Sequence, residues 1–421
     1  MDDTSEKRLS LYGFEDTLFQ KQRLADAINN DEITELEIQN VIWNHDDEEL
    51  RSVLDRFLDH HQDLDKVILR GGQGGPSQFR SVRNLCLQQV SLNPTYRIQY
   101  SVDKLVELSL LSLSLSEELL TPLGQNLANP AAVVEKIDLT DSRILRQEAI
   151  SAFARGLQLN ASLKSLCLSE CNLMDLGLAT IIEALRGHPS ISHLDISFNK
   201  GRSQAISQLS SLIVETNTLV SLNIGFLAFG AGREVGLTTV FECLSDENRI
   251  PALTILQVGG NNLRDESMEH IVTMLTQNKS LIHLDLSENR FTNEGIRLLG
   301  NHLGRMSGLR VLDMEANRFD EQGVEILAEA IPSNKTIEAI EMDDSLVDTS
   351  AGRILRYHLD LNWGGQRILL QPPESIALSL WPSILARANH WTEEKGMLQR
   401  QPKASDILLF FLRNGPFSLQ H

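Results

Sequence analysis

Leu163-Lys-Ser-Leu166-Cys-Leu168-Ser-Glu-Cys171-Asn-Leu173 is spelled again as Leu281-Ile-His-Leu284-Asp-Leu286-Ser-Glu-Asn289-Arg-Phe291. With the second leucine as marker, well-formed copies fall at Leu108, Ile137, Leu166, Leu194, Leu222, Leu256, Leu284, Leu312 and Ile340, separated by 29, 29, 28, 28, 34, 28, 28 and 28 residues. A fixed internal period decides architecture first, because each copy is a unit that cannot bury its apolar face alone and must stack on its neighbours. Around each marker, apolar and polar residues alternate, which is the spacing of a strand with one buried face. The long period leaves room for a helix in every unit.

The helical half repeats as regularly. Gly177, Leu178, Ile181, Ala184 and Leu185 form an apolar stripe at helical spacing, copied at Gly295, Ile296, Leu299 and Leu303 and at Gly323, Val324, Leu327, Ala330 and Ile331. Upstream, Val82, Leu85, Leu87, Val90 and Leu92 fit the strand half, as do Leu64, Val67 and Leu69, and Ile33, Leu36, Ile38, Val41 and Trp43. The pattern predicts about twelve strands in all. Apolar periodicity predicts helices over 15–27 and 48–58, and Gly71-Gly-Gln-Gly-Gly-Pro76 is a break between irregular early units. The 34-residue step places an insertion within 229–252, around residues 246–251, where it lengthens a loop.

The combined pattern, Leu-x-x-Leu-x-Leu-x-x-Asn/Cys-x-Leu followed by Gly-Leu/Ile/Val-x-x-Leu/Ile-x-x-x-Leu/Ile, resembles the ribonuclease-inhibitor-like subfamily of leucine-rich repeat proteins over 105–347. The resemblance implies an α/β fold: a right-handed solenoid, or horseshoe, with a parallel inner sheet and outer helices. The expected organisation is an N-terminal cap with irregular repeats over 1–104, regular repeats over 105–350, and a helical, aromatic C-terminal cap over 351–421. That last segment leaves the repeat, holds Trp363, Trp381 and Trp391, and predicts helices over 376–388 and 404–413.

The 38 basic and 57 acidic side chains give a net charge of −19, which argues against nucleic-acid or anionic-membrane binding and favours a basic protein partner. From residue 351 onward eight Lys or Arg stand against five Asp or Glu, so that segment is +3 and the remainder −22. No signal peptide is expected from the first residues, and four cysteines without paired spacing suit a reducing, cytoplasmic location.

Residues alternating with the buried leucines face the inner curve. Of 36 such positions in the nine good repeats, twelve are acidic and one, Lys136, is basic. The acidic ones are Glu107, Asp138, Asp141, Glu170, Asp195, Asp285, Glu288, Asp313, Glu315, Glu341, Asp343 and Asp344. Crowding like charges costs stability that a cationic surface relieves. Against this, Asp138, Asp195, Asp285 and Asp313 share the slot after the marker, where aspartate is common in this repeat class. The expectation is a non-enzymatic scaffold binding a basic protein on this face, through Asp195, Phe198, Phe226, Asp285, Glu288, Asp313, Glu315, Glu341, Asp343 and Asp344. The alternative is a GTPase-activating protein similar to RanGAP, although no activating residue maps onto this chain. Without a nucleotide-binding module ahead of the repeats, a full immune-sensor architecture is not expected.

Other motifs read as structure. Asn199, Asn261, Asn289 and Asn317, with Cys171, hold the slot where the chain leaves the strand and can satisfy exposed backbone groups. The glycosylation-like triplets at Asn160, Asn278 and Asn334 all fall at one helix-to-strand turn. His60-His61 reads as a solvated helix end, and Cys167 with Cys171 lacks the partners of a metal site. No phosphate loop, nucleophile elbow or acid–base pair is present, and no cofactor or small-molecule substrate is expected.

Overall fold

A computed structural model describes residues 7–12, 17–41, 48–61, 64–73, 78–79, 82–92, 97–144, 146–227, 235–245 and 252–368. The chain forms two compact units, Met1–Cys243 with Pro251–Leu253, and Leu244–Ile250 with Thr254–His421.

In the first unit nine strands pair in parallel, each with the next: Arg8–Tyr12, Glu35–Gln39, Lys66–Arg70, Asn84–Gln88, Glu107–Leu111, Lys136–Asp138, Ser165–Cys167, His193–Asp195 and Ser221–Asn223. In the second, Ile255–Gln257, His283–Asp285, Val311–Asp313 and Ala339–Glu341 do the same. The markers pair with one another, as in Leu166 with Leu194 and Leu222, and Leu284 with Leu312 and Ile340, all buried. Both units are α/β leucine-rich-repeat solenoids. The strand missing from the sequence expectation is Arg8–Tyr12, whose signal is carried only by Leu9 and Leu11.

Parallel neighbours need a crossover, and here each is a helix of 10 to 13 residues in the regular part, such as Gln147–Leu159, Asp175–Ala184 and Ser203–Glu215. Each buries its apolar stripe on the sheet. Helices Glu117–Leu127 and Gln147–Leu159 come close enough that a Cβ on Gly156 would lie 2.2 Å from the Gly124 carbonyl oxygen, so only glycine fits. The predicted early helices are observed at Thr17–Ala27 and Glu48–His60. Helix Val235–Leu244 lies inside the longest repeat step; the expected loop around 246–251 falls outside the described residues.

Two asparagine ladders close the turns. At strand exits, Asn289 donates to the carbonyls of Leu286 (3.0 Å) and Val258 (3.3 Å) and accepts from the N–H of Leu263 (2.9 Å), with Asn199 and Asn317 in equivalent roles. Cys171 takes the slot by donating its thiol to the Leu139 carbonyl (3.0 Å). At strand entries, Asn334 donates to Leu303 (2.8 Å) and Met306 (2.9 Å) carbonyls and accepts from the N–H of Thr336 (2.9 Å) and Ile337 (2.8 Å). Asn160 and Asn278 repeat this, so the triplets are turn-forming residues.

Helix Ser350–Ile368 packs on helix Glu321–Ala330 and strand Ala339–Glu341, burying Ala351, Leu355 and Leu359 and donating from Asn362 to the Ile337 carbonyl (2.7 Å). The segments 376–388 and 404–413, with Trp381 and Trp391, lie outside the described residues. One local expectation is corrected. His61 is not a solvated helix end: it is buried, stacked on Phe57 (4.1 Å) and bonded to the Phe57 and Asn30 carbonyls, because it continues the buried face of Leu54, Phe57 and Leu58 just past the helix.

Candidate functional site

Alternation along the three-residue strands turns the residue after each marker onto the sheet face away from the leucines. Asp138, Asp195 and Asp285 use one carboxylate oxygen to accept from the N–H and the hydroxyl of Thr140, Ser197 and Ser287, two residues on, at 2.6 to 3.0 Å. Asp313 accepts from the Glu315 N–H (2.9 Å). Such side-chain turns fix the exit of the strand. The aspartate habit of this slot therefore has a structural cause. Asp195 is fully engaged, its second oxygen accepting from Asn223 (3.0 Å).

In the second unit Asp285, Asp313 and Glu341 are successive register partners. Adjacent strands lie roughly 4.8 Å apart, so three carboxylates share a short row. Burial pushes the Asp313 carboxyl up, the bond from the Glu315 N–H holds it down in part, the charges of Asp285 and Glu341 push it up further, and His283 opposes them. Glu288 and Glu315 stand exposed beside this row. Among the described residues, none of these five carboxylates is ion-paired to Lys or Arg; Arg310 binds Glu338 (2.7 Å) instead. Asp343 and Asp344 do not extend the strand. Asp343 precedes the one-turn helix Asp344–Val347 and accepts from the Ala316 N–H (2.9 Å), which locks it into the turn, whereas Asp344 is exposed.

In the first unit the residues four past the markers are Ser112, Asp141, Glu170, Phe198 and Phe226, all in the left-handed region (φ 55°, 57°, 59°, 53° and 51°). Phe198 and Phe226 stack, with centroids 4.2 Å apart and planes 8° from parallel, and Phe198 is 48% exposed. Two residues further along, Arg143, Asn172 and Lys200 form a second row, Lys200 donating to the Asn172 side chain (2.7 Å). Between the rows is an open groove of ≈ 510 Å³. A reading confined to strand positions misses Arg143, Asn172 and Lys200, because they lie beyond the turn where the alternation of faces has ended. Among the described residues no His, Cys, Asp and Glu group could hold a metal, and no helix is long and apolar enough to cross a membrane.

Parallel strands stacked at this period, with turn-closing asparagines and an exposed polar face, define a leucine-rich-repeat solenoid. A family profile described as Leucine Rich repeat matches residues 277–300. NACHT, LRR and PYD domains-containing protein 14 of Mus musculus is 26% identical over 212 residues, 49% of this chain and 20% of that protein. NACHT, LRR and PYD domains-containing protein 12 of Homo sapiens is 30% identical over 201 residues, 47% of this chain and 18% of its own length. The chain thus spans about a fifth of the curated relatives it matches. Among solved structures, an internalin from Listeria monocytogenes is 16% identical with a TM-score of 0.43, covering 77% of this chain and 89% of that one.

Proposed function

We propose that this protein is a non-enzymatic scaffold that binds a basic protein partner through the acidic sheet face of its second unit. The observation that carries the reading is the row Asp285, Asp313 and Glu341, register neighbours that no Lys or Arg pairs among the described residues. Holding like charges together costs free energy that a bound cation returns, so the row is complementary to Lys- or Arg-rich surfaces. Glu288 and Glu315 widen it, and Asp344 adds a carboxylate at its end. Asp343 and Asp195 support turns and contribute field more than contact. Phe198 and Phe226 are apolar contact points in the first unit. We also infer a cytoplasmic location, supported by four free cysteines, membership of the ribonuclease-inhibitor-like subfamily, and a division into 1–104, 105–350 and 351–421.

The test is titration of the full chain with a deca-lysine peptide across ionic strength. Affinity falls steeply with salt, and charge reversal at Glu288, Glu315 and Glu341 to Lys lowers it at least tenfold. An affinity unchanged by the triple reversal rules this face out.

A further inference from the structure

The stacked phenylalanines of the first unit sit in a backbone conformation that disfavours bulky residues, and the equivalent left-handed positions of the other regular repeats hold Ser112, Asp141, Glu170, Gly260, Glu288 or Ala316. The stack leaves one wall of the groove aromatic. Phe198 lines the groove and Phe226 does not, so the face of Phe198 away from Phe226 closes one end. Along one side run Asp141 and Glu170, and along the other Arg143, Asn172 and Lys200. Asp141, Glu170, Arg143 and Lys200 all take part in no ion pair among the described residues, and Met174 and Leu176 lie exposed at the start of helix Asp175–Ala184.

We propose that this groove docks an extended segment of a partner protein that presents an arginine with a carboxylate close by. A guanidinium is planar and weakly hydrated, so it stacks on the open Phe198 face while its edge donates to Glu170 or Asp141. An ammonium lacks the planar face and holds its water more tightly. The opposite row excludes a purely cationic segment, because Arg143 and Lys200 repel it; a carboxylate near the arginine pairs with them instead. Lys200 retains donors after its bond to Asn172. Two carboxylates facing two cations therefore select a segment of mixed charge, unlike the single-sign row of the second unit. The groove lies within the first unit and does not depend on the reading of that row.

The probe is an acetylated, amidated peptide, Gly-Ser-Gly-Arg-Gly-Asp-Gly-Ser, titrated calorimetrically into the full chain. Saturable binding is expected, at least tenfold weaker when the peptide arginine is replaced by lysine. Phe198→Ala and Glu170→Gln each weaken it at least tenfold, and Phe19→Ala, at an exposed position of helix Thr17–Ala27, leaves it unchanged. Phe198→Gly guards against misfolding, since glycine is at ease at φ 53° and the variant keeps its circular dichroism while losing the peptide. Glu341→Lys leaves peptide binding intact even where it abolishes deca-lysine binding, which separates the two sites. Absence of saturable binding at millimolar peptide, equal affinity for the lysine peptide, or undiminished binding by both Phe198 variants overturns the proposal.

Discussion

Asp313 gives one oxygen to the turn and meets two like charges with the rest of its carboxylate. Its folded-state pKa lies above the unfolded one, so the folded chain binds the extra proton. The stabilisation is complete below the ordinary carboxylate range and is lost as pH rises through the raised value. Asp313→Asn keeps the acceptor for the Glu315 N–H and removes the charge. We expect its thermal midpoint at neutral pH to equal or exceed the parent's, and its stability to vary less with pH just above the carboxylate range; a lowered midpoint would contradict the repulsion. Asn334 is the contrasting case, a 1%-exposed side chain with four backbone bonds. Asn334→Ala strands buried donors and acceptors and should cost roughly 2–4 kcal/mol in denaturant unfolding. Only the asparagine role was legible, because its fixed slots at the strand entry and exit mark it as a turn residue; the recurrent aspartates read as a habit of the repeat, and their bonds to the turn two residues on come from the structure. That Asp195 is saturated while Asp313 faces two other charges was not legible either, because it depends on what each neighbouring strand carries.

Strands of three residues cannot stand alone, and their stability comes from register with the next copy and from helices that cover the leucines. Among the described residues no strand follows the last copy, Ala339–Glu341. Helix Ser350–Ile368 takes that place, with Leu355 fully buried against the array. Leu355→Ala should cost about 2–5 kcal/mol. Amide hydrogen exchange should show the loss first in strand Ala339–Glu341; uniform loss across the unit would argue against a capping role. The regular elements were readable because their periods, two and 3.6, repeat. Strand Arg8–Tyr12, the burial of His61 and the short helix Asp344–Val347 were not, because each rests on a packing partner outside its own segment.

At the scale of the molecule, an array in which each copy touches mainly its neighbours responds to damage locally. Asn334→Ala should therefore lose exchange protection in the strands of the second unit, leaving Ser165–Cys167 and His193–Asp195 near parental values; equal loss in both would mean one cooperative block. The solenoid class, the strand and helix of each regular repeat, the turn asparagines and an excess of carboxylates on one sheet face were legible from residue spacing alone, because all of these follow from local period. Tertiary structure decided which carboxylates are spent on turns and which stay open. It also brought Asp141, Glu170 and Phe198 into line with Arg143, Asn172 and Lys200. Residues about 28 apart become neighbours only through stacking, and their chemistry toward a partner exists only once the copies are in register.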